Sequence, residues 1–243
     1  MNLNYPSIED RLLKNQDFWW LIGYIQGDGY VDTVDRQEIR LTSVERELIL
    51  HADNVFKTLF RLEAKVRVEP HEPPLNPQFR LEVYSILLIS WLLGLGLKFG
   101  TREWNVPRLP ENLFLPYLAG LFDAEGSLLM TRNKTGEKKI SHVMVYSTNK
   151  LALETISRLL ADLGLRASIL ERKRRLHSDY ELRMTGGEEK KWFVEKVGAF
   201  VHHPRKRRYL NSMRLSAVRE FSRKLVRKPG QWALVFQPKA LAK

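Results

Sequence analysis

The same ten-residue pattern occurs twice in this chain, 97 residues apart. Residues 20–29 read WLIGYIQGDG and residues 117–126 read YLAGLFDAEG. Further segments correspond in the same order, namely residues 62–66 with 165–169 and residues 79–83 with 180–184. Because each copy is as long as a small domain, the repeat indicates two copies of one folding unit.

We expect the first copy to occupy residues 1–106 and the second residues 107–243, with a basic helix and tail at its end. Within each copy the hydrophobic pattern predicts helix, two strands, helix, two strands, helix. Residues 79–83, for example, alternate apolar and charged side chains, as a strand with one buried face does. A structured connector is indicated by three prolines in the segment 102–116, which are Pro107, Pro110 and Pro116. The prediction is an α+β protein of two similar units.

Each copy of the repeated pattern reads as a helix with small residues four positions apart. These are Gly23 and Gly27 in the first copy, and Gly120 and Ala124 in the second. Small residues at this spacing leave one helix face flat, so that two backbones can approach closely. We therefore predict that the two helices pack against each other about a pseudo-twofold axis.

Both helices end in an acid followed by a glycine, Asp28-Gly29 and Glu125-Gly126. We interpret the glycines as left-handed helix caps. One carboxylate at a helix C-terminus, which costs about 0.3–1 kcal/mol, is usually an ordinary feature of a cap. Two of them at paired helix ends would repel each other unless a cation lay between them. Oxygen ligands of this kind suit Mg²⁺, and a basic protein that presents Mg²⁺ to phosphate is typical of a phosphodiesterase.

The charge pattern favours a polyanion as the partner. The chain has 40 Lys and Arg against 28 Asp and Glu, a formal net charge of +12 and a pI near 9.9. Basic residues crowd the segments 132–139, 172–175 and 205–208. Such clusters attract nucleic acid and make its binding sensitive to salt. Taken alone, the net charge is also consistent with a protein that is merely well solvated.

Composition excludes several other classes of protein. The absence of cysteine rules out a disulfide scaffold, a thiol nucleophile and a cysteine-ligated metal site. Hydrophobic residues, at 44%, are sufficient for a core. The longest uncharged apolar stretch, residues 83–97, is shorter than the roughly 20 residues that span a membrane. With no secretory signal visible, we expect an intracellular protein, in the cytoplasm of a prokaryote or alternatively in an organelle.

The two patterns resemble the motif that names the LAGLIDADG homing endonucleases. Residues 118–126, LAGLFDAEG, depart from it only at Phe122 and Glu125. Residues 21–29, LIGYIQGDG, are looser but keep the first leucine, Gly23 and the glycines on either side of the acid. With two motifs in one chain and a resemblance over roughly residues 15–210, the chain is similar to the single-chain, two-motif members.

The resemblance implies two αββαββα units, each with a four-stranded antiparallel sheet, that form a DNA-binding saddle. It implies a monomeric, site-specific endonuclease that makes metal-dependent double-strand breaks at a long, non-palindromic DNA site. Two or more Mg²⁺ ions, which Mn²⁺ would replace, would be shared between Asp28 and Glu125, with backbone oxygens of Gly27 and Ala124 as further ligands. Gln26 stands where the family commonly has Asp, and we interpret this position as structural.

The family also places a basic residue near the scissile phosphate, after the last helix of a repeat. This implies Lys98 as a catalytic residue in the first copy. In the second copy it implies Lys206, with His202 as the alternative. A polar residue, often Gln, follows the second strand in the family, whereas this chain has Ser43 and Thr148 near that place.

The outward basic residues of the predicted strands and loops are the candidates for contact with double-stranded DNA. They are Arg40, Lys65, Arg67, Arg80, Arg132, Lys134, Lys139, Arg172, Arg174 and Arg183. Strands of about 8 to 10 residues, at about 3.3 Å per residue, would extend about 30 Å in each half. At 3.4 Å per base pair, two halves predict a footprint of about 18–20 base pairs.

Several alternatives compete with DNA cleavage as the function. An RNA-splicing maturase or a non-cleaving DNA-binding protein could use the same scaffold, although the retention of both acids favours a nuclease. An intein-embedded nuclease would normally start at Cys or Ser and end in Asn, whereas this sequence runs from Met1-Asn2 to Ala242-Lys243, so we expect a free-standing, intron-encoded protein. A helical interaction domain would explain neither the charge nor the two acids.

Overall fold

The computed structural model describes residues 8–70, 76–100, 102–132, 136, 138–173 and 178–213. The first repeat contains α1 (Ile8–Leu13), α2 (Gln16–Asp28), β1 (Tyr30–Val31), β2 (Glu38–Ser43), α3 (Arg46–Val55) with a π-helical turn (Phe56–Phe60), β3 (Lys65–Glu69), β4 (Gln78–Tyr84) and α4 (Ile86–Gly94). The second contains α5 (Glu111–Glu125), β5 (Gly126–Arg132), β6 (Lys138–Ser147), α6 (Lys150–Asp162), β7 (Ser168–Lys173), β8 (Ser178–Met184), α7 (Gly187–Lys196) and a 3₁₀ turn (Val197–Ala199). Residues 204–213 are helical.

Each repeat forms one four-stranded sheet with the same topology. The strand order is β1-β2-β4-β3 in the first sheet and β5-β6-β8-β7 in the second. All neighbouring strands are antiparallel. The predicted fold class, α+β with two pseudo-symmetric αββαββα units, is therefore confirmed.

Most of the described strands are shorter than predicted. β2, β3 and β4 contain 6, 5 and 7 residues, whereas β6 reaches 10. β1 contains 2 residues because the chain turns directly after it. The Asp32 carboxylate accepts hydrogen bonds from the backbone N–H groups of Val34 and Asp35, at 2.9 and 3.0 Å, which is the bonding of an Asx-turn. Gln37, with φ of 49°, then returns the chain to β2.

Side-chain caps fix the beginnings of several helices. Asn15 accepts from the backbone N–H groups of Asp17 and Phe18 at the start of α2. Ser85 caps α4, and the buried Asn149 caps α6. Asn149 Nδ2 also donates to the carbonyl of Trp104 at 2.6 Å. The same residue thus begins a helix and holds the connector between the repeats.

The helices α2 and α5 pack directly against each other in the centre of the molecule. A Cβ atom at Gly23 would lie 2.1 Å from the Tyr117 carbonyl oxygen, and one at Gly120 would lie 1.9 Å from that of Trp20. No residue larger than glycine fits at either position, so the predicted close approach is confirmed. A buried hydrogen bond from Trp20 Nε1 to Asp123 Oδ2, 2.9 Å long, joins the same two helices.

The glycines that end these helices are not left-handed caps, so that prediction is wrong. Gly29 and Gly126 have φ of −85° and −84°, in the extended region. A Cβ atom at Gly29 would lie 2.5 Å from the Ile25 carbonyl oxygen, and one at Gly126 would lie 2.4 Å from that of Phe122. Close contact with the preceding turn, rather than the sign of φ, requires glycine here.

The connector between the repeats is also shorter than predicted, because α5 begins at Glu111 and includes Pro116. Proline has no backbone N–H, so it cannot bond the carbonyl of Asn112 four residues earlier. Gln16 Nε2 of α2 donates to that carbonyl at 3.4 Å. The neighbouring helix thus supplies the donor that the proline removes.

Each sheet buries its apolar face against helices of its own repeat. The buried strand residues are Ile39, Leu41, Leu81 and Val83 in the first sheet, and Val143, Val145, Leu182 and Met184 in the second. The opposite faces carry the polar side chains, as the period-two alternation predicts. Within the described part of the chain, no helix combines the length and the apolar character needed to cross a membrane.

Candidate functional site

The two acids Asp28 and Glu125 end the paired helices side by side. A Cβ atom at Gly27 would lie 2.4 Å from Ala124 Cβ and 3.5 Å from Glu125 Cγ, so the two helix ends are in contact here. Asp28 is exposed at its outer edge and Glu125 is half-buried. Close packing of the helix pair therefore brings together the two carboxylates that the sequence singled out.

The electrostatics of this pair favour a bound cation. Burial, and then repulsion by Asp28, raise the pKa of Glu125 to about 7. Loss of surrounding water also raises the pKa of Asp28, although part of its side chain stays accessible. A cation between the acids would relieve both costs. The donor set, two carboxylates beside the last-turn carbonyls of Gly27 and Ala124, fits the oxygen ligands that Mg²⁺ prefers.

Lys206 lies against the end of α5, next to these acids. Its Nζ donates to the carbonyl oxygens of Phe122 at 2.7 Å and Asp123 at 3.0 Å. Burial lowers the pKa of Lys206 to about 8, against the opposing pull of the negative charges of Asp123, Asp28 and Glu125. The ammonium group is thus held at the negative end of a helix, where a cation is favoured.

The geometry distinguishes Lys206 from the alternative His202. The His202 ring stacks on His51, with centroids 3.6 Å apart, and meets Trp20 edge-on at 5.1 Å. These contacts place it among residues of α2 and α3, whereas Lys206 interacts with both acids of the pair. Of the two sequence candidates in the second repeat, the structure therefore brings Lys206 to the acids.

Lys98 is held through its backbone rather than its side chain. Its N–H donates to Asn105 Oδ1 at 2.7 Å and its carbonyl accepts from Gln26 Nε2 at 2.9 Å. The residue itself is exposed. A catalytic contact of its ammonium group stays a prediction. Asn105, which also donates to the Gly96 carbonyl at 2.9 Å, was not singled out in the sequence, although it lies in the connector beside the prolines.

Gln26 and Asp123 occupy the same position in the two motif helices and both anchor the segment that follows their repeat. Gln26 Nε2 donates to the carbonyls of Lys98 and Asn105, and its Oε1 accepts from Tyr117 Oη at 2.8 Å. Asp123 accepts from the backbone N–H groups of His202 and His203, at 2.7 and 3.1 Å. These bonds agree with the interpretation of Gln26 as a structural residue.

A cavity of about 270 Å³ adjoins Glu125 on the side of the connector. Its lining residues are Gln26, Gly27, Arg102, Trp104, Leu121, Glu125, Tyr146, Ser147 and Thr148. Thr148, which follows the second strand of its repeat, thus lines the same cavity as Glu125. Ser43 of the first repeat lies near the buried Tyr24 phenol instead. Arg102 is a basic residue near the acids that sequence patterns did not indicate.

On the outer face of the first sheet, the arginines predicted to contact DNA surround a buried acid. Glu82 lies 4.0 Å from Arg40, 3.8 Å from Arg67 and 3.8 Å from Arg80. Further ion pairs join Arg40 to Glu38 and Arg80 to Glu69. Lys65 lies over the Tyr84 ring. These acids, of which Glu38 and Glu82 are buried, hold the arginine side chains in place and reduce their net charge.

In the described part of the second sheet, outward arginines are likewise paired with acids. Arg183 pairs with the buried Glu181. Arg172 lies 3.8 Å from Asp179 and 4.8 Å from the centre of the Tyr146 ring. At the sheet edge, Arg132 donates to the Gly136 carbonyl and Lys139 is exposed. Two further candidates, Lys134 and Arg174, lie outside the described residues.

With the fold and the acid pair established, the family of the chain follows from comparison. The model of the LAGLIDADG-like domain matches residues 15–89 and 115–198, one segment in each repeat. The chain therefore belongs to the LAGLIDADG-like domain family. A curated relative from Methanocaldococcus jannaschii, named glutamine–fructose-6-phosphate aminotransferase (isomerizing), is 31% identical over 181 residues. That match covers 72% of this chain but 15% of the relative, so the chain spans a small part of that protein.

Solved structures share the fold at low sequence identity. I-DmoI in complex with DNA and Ca gives a TM-score of 0.56 at 22% identity, over 80% of this chain and 96% of that one. The homing endonuclease I-WcaI bound to its DNA recognition sequence gives 0.56 at 15%, over 83% and 91%. The N-terminal LAGLIDADG domain of DUF199/WhiA gives 0.54 at 17%, over 81% and 85%. At these identities the likeness shows the fold alone.

Proposed function

We propose that this protein is a site-specific homing endonuclease that makes metal-dependent double-strand breaks at a long, non-palindromic DNA site. One observation carries the proposal. The carboxylates of Asp28 and Glu125 are forced together at the ends of α2 and α5, and the pKa of Glu125 is raised to about 7. A purely structural helix pair has no need for two repelling acids in matching places.

The residues of this site would have different roles in phosphodiester hydrolysis. Asp28 and Glu125 would hold two or more Mg²⁺ ions, which Mn²⁺ would replace, with carbonyl oxygens of Gly27 and Ala124 as further ligands. Bound in this way, the ions would polarise the phosphate and activate water. Lys206, held against α5, would add positive charge where negative charge develops on the phosphate.

Double-stranded DNA is the proposed partner of the two sheets. Their outer faces carry the arginines held by buried acids, and two similar structures, I-DmoI and I-WcaI, were solved with DNA. One chain supplies both sheets, so we propose a monomer with internal pseudo-twofold symmetry that covers about 18–20 base pairs. Because the two sheets differ in their outward residues, the two half-sites need not match.

The test uses DNA chosen by binding alone. Random-sequence duplexes that the wild-type protein retains in Ca²⁺ are recovered and then incubated with it in Mg²⁺, and new ends are mapped. We expect a fixed break on each strand of a recovered duplex. Asp28→Asn and Glu125→Gln should each lower the cleavage rate by about 100-fold or more, while the Kd for DNA changes little. Glu111→Gln, at the exposed opposite end of α5, is the matched control and should cleave normally.

The outcomes separate the possible functions. Retained duplexes that are never cut in Mg²⁺ or Mn²⁺ would overturn the nuclease and leave a DNA-binding protein. Full cleavage by both acid variants would show that the site lies elsewhere. Failure to retain any duplex, with structured RNA retained instead, would favour the maturase alternative.

A further inference from the structure

A second cluster of metal-binding side chains lies away from the acid pair. Asp17 in the first turn of α2, His51 in α3 and His202 after the 3₁₀ turn each present one potential ligand atom, and these three atoms lie within 4.8 Å of one another. Asp17 and Asp28 are eleven residues apart on α2, or roughly 16 Å along the helix at 1.5 Å per residue. The cluster is therefore separate from the proposed magnesium site.

The two imidazoles stack on each other, and a ring nitrogen of His51 has no partner within the protein. Their rings lie 3.6 Å apart at an angle of 18°, and Trp20 meets both of them edge-on. His51 Nε2 is buried and has no hydrogen-bond partner. A buried ring nitrogen without a partner is uncommon in a folded protein and calls for an explanation.

The charges around the cluster also permit a cation. Burial lowers the pKa of His51, and it lowers the pKa of His202 to about 3, so both rings are neutral near pH 7 and keep a free lone pair. Asp17 supplies one negative charge. Arg207 is the opposing positive group, but it is exposed and lines an open cavity of about 600 Å³ next to His202. That cavity gives an ion and its water ligands access from solvent.

We propose that Asp17, His51 and His202 form a second metal site, for a borderline transition-metal ion such as Zn²⁺. Two imidazoles and one carboxylate suit Zn²⁺ and its neighbours in the periodic table, whereas Mg²⁺ prefers oxygen ligands. Ligand atoms around a tetrahedral ion with bonds of about 2.0–2.1 Å lie roughly 3.3 Å apart, so small side-chain movements close the site. Water from the cavity completes the coordination.

This site would join the two repeats. Asp17 and His51 belong to the first repeat, whereas His202 lies beyond the last strand of the second. The segment around His202 is already tied to the first repeat by the ion pair between Arg205 and Glu45. A bound ion would further join α3 to the segment that carries Lys206.

The experiment measures binding of Zn²⁺ alone by calorimetry, without Mg²⁺ or DNA, and the visible absorption of the Co²⁺-loaded protein. We expect one site, a Co²⁺ band typical of nitrogen and oxygen ligands, and a Zn²⁺-dependent rise in melting temperature. His51→Gln and His202→Gln should each weaken Zn²⁺ binding by about 10-fold or more, because even the loss of a supporting residue often costs that much. His142→Gln, whose ring contacts Ser141 on β6, is the matched control and should bind normally.

Two further variants make the result decisive. Asp17 is exposed, so Asp17→Asn tests the site even if a histidine variant does not fold. The double variant Asp28→Asn, Glu125→Gln should keep the Zn²⁺ site, which separates this proposal from the nuclease. Zn²⁺ binding that survives in Asp17→Asn, His51→Gln and His202→Gln, or that is lost with the acid pair, would overturn the proposal, as would no binding at all.

Discussion

The two repeats agree in their central helices and differ on their sheet faces. A Cβ atom added at Gly23 or at Gly120 would lie at a nearly equal distance, 2.1 or 1.9 Å, from a carbonyl oxygen of the opposite helix. On the sheets the outward charges are reversed. The two sheets can be superposed on their strand registers by matching Ser43 at the end of β2 with Ser147 at the end of β6. The equivalent positions are then Arg80 and Glu181, Glu82 and Arg183, and Arg67 and Leu170.

This difference shows which residue types packing determines and which positions can vary. A Cβ atom at either glycine would lie about 2 Å from a backbone oxygen of the other helix, so only glycine fits at these two positions. An outward strand position tolerates many side chains as long as buried charges stay paired. The helix pair therefore preserves the symmetry of the site, whereas the sheets can diverge to bind two unlike half-sites.

The largest expected effect tests the helix contact. Gly23→Leu or Gly120→Leu should destabilise the fold by about 3 kcal/mol or more, because overpacking against a backbone cannot be relieved by side-chain movement. Urea unfolding and the melting temperature measure the loss. Gly94→Ala, at a position with no atom within 4 Å of the added Cβ, is the control and should be neutral or stabilising. Unchanged stability in both leucine variants would show that α2 and α5 do not pack as described.

The next effect compares the two lysines. We expect Lys206→Met to lower the rate of DNA cleavage by about 100-fold, since removal of one group that stabilises transition-state charge costs that much. Lys98→Met should cost less, because the structure fixes the backbone of Lys98 and leaves its side chain exposed. Single-turnover cleavage at saturating Mg²⁺ provides the comparison, with melting temperatures as the check on folding.

The pH profile sharpens this test. The pKa of Lys206 is lowered to about 8, so its positive charge is present below pH 8 and is lost as the pH rises through that value. Wild-type cleavage should therefore decline above pH 8, and Lys98→Met should keep the decline. A decline that persists in Lys206→Met, or a larger loss in Lys98→Met, would contradict the assignment.

A smaller effect on stability is expected at Gln26 and Asp123, where one repeat uses a hydrogen-bond donor and the other an acceptor. The Gln26 amide donates to two carbonyls, whereas the Asp123 carboxylate accepts from two backbone N–H groups and from Trp20. Gln26→Glu and Asp123→Asn keep the shape and leave buried groups without a partner. Each should cost about 1–3 kcal/mol.

Stability measurements with matched controls test this reversal. The exposed changes Asn54→Asp and Asp162→Asn alter the same chemical groups and should stay near wild type. The destabilisation by Gln26→Glu should grow with pH, because an introduced carboxyl group that faces carbonyls is tolerated only when protonated. If Gln26→Glu did not change the stability at high pH, Gln26 would not have this anchoring role.

The packing of the two helices could be predicted from the sequence because the residues that require it lie close together in the chain. Gly23 and Gly120, with the acids that follow them, can be read from a ten-residue pattern. The pairing of Arg67 and Arg80 with Glu82 depends on strand register, and the neighbours of His202 depend on how three segments pack. Alternating charges such as Arg80 and Glu82 on one predicted strand face were visible but do not reveal which acid is buried. The conformation of Gly29 was mispredicted because close contact, not handedness, demands glycine there.

The smallest effect concerns single sheet positions. Arg67 has the most exposed side chain of the three arginines around Glu82, at 61%, and its counterpart is Leu170. Arg67→Leu should weaken DNA binding by about 1 kcal/mol, lower the slope of log K against log salt by about one, and reduce protection in one half of the footprint only. Leu170→Arg should increase protection in the other half of the footprint.

Footprinting at several salt concentrations measures both changes and the length of the site. Described strands of 6 and 7 residues, such as β2 and β4, extend only about 20 Å at 3.3 Å per residue, so strands alone do not account for 18–20 base pairs. A footprint of that length would require contacts from beyond the strands in each half. Equal loss of protection in both halves after Arg67→Leu, or a strictly palindromic site, would contradict the division between a symmetric helix pair and two divergent sheets.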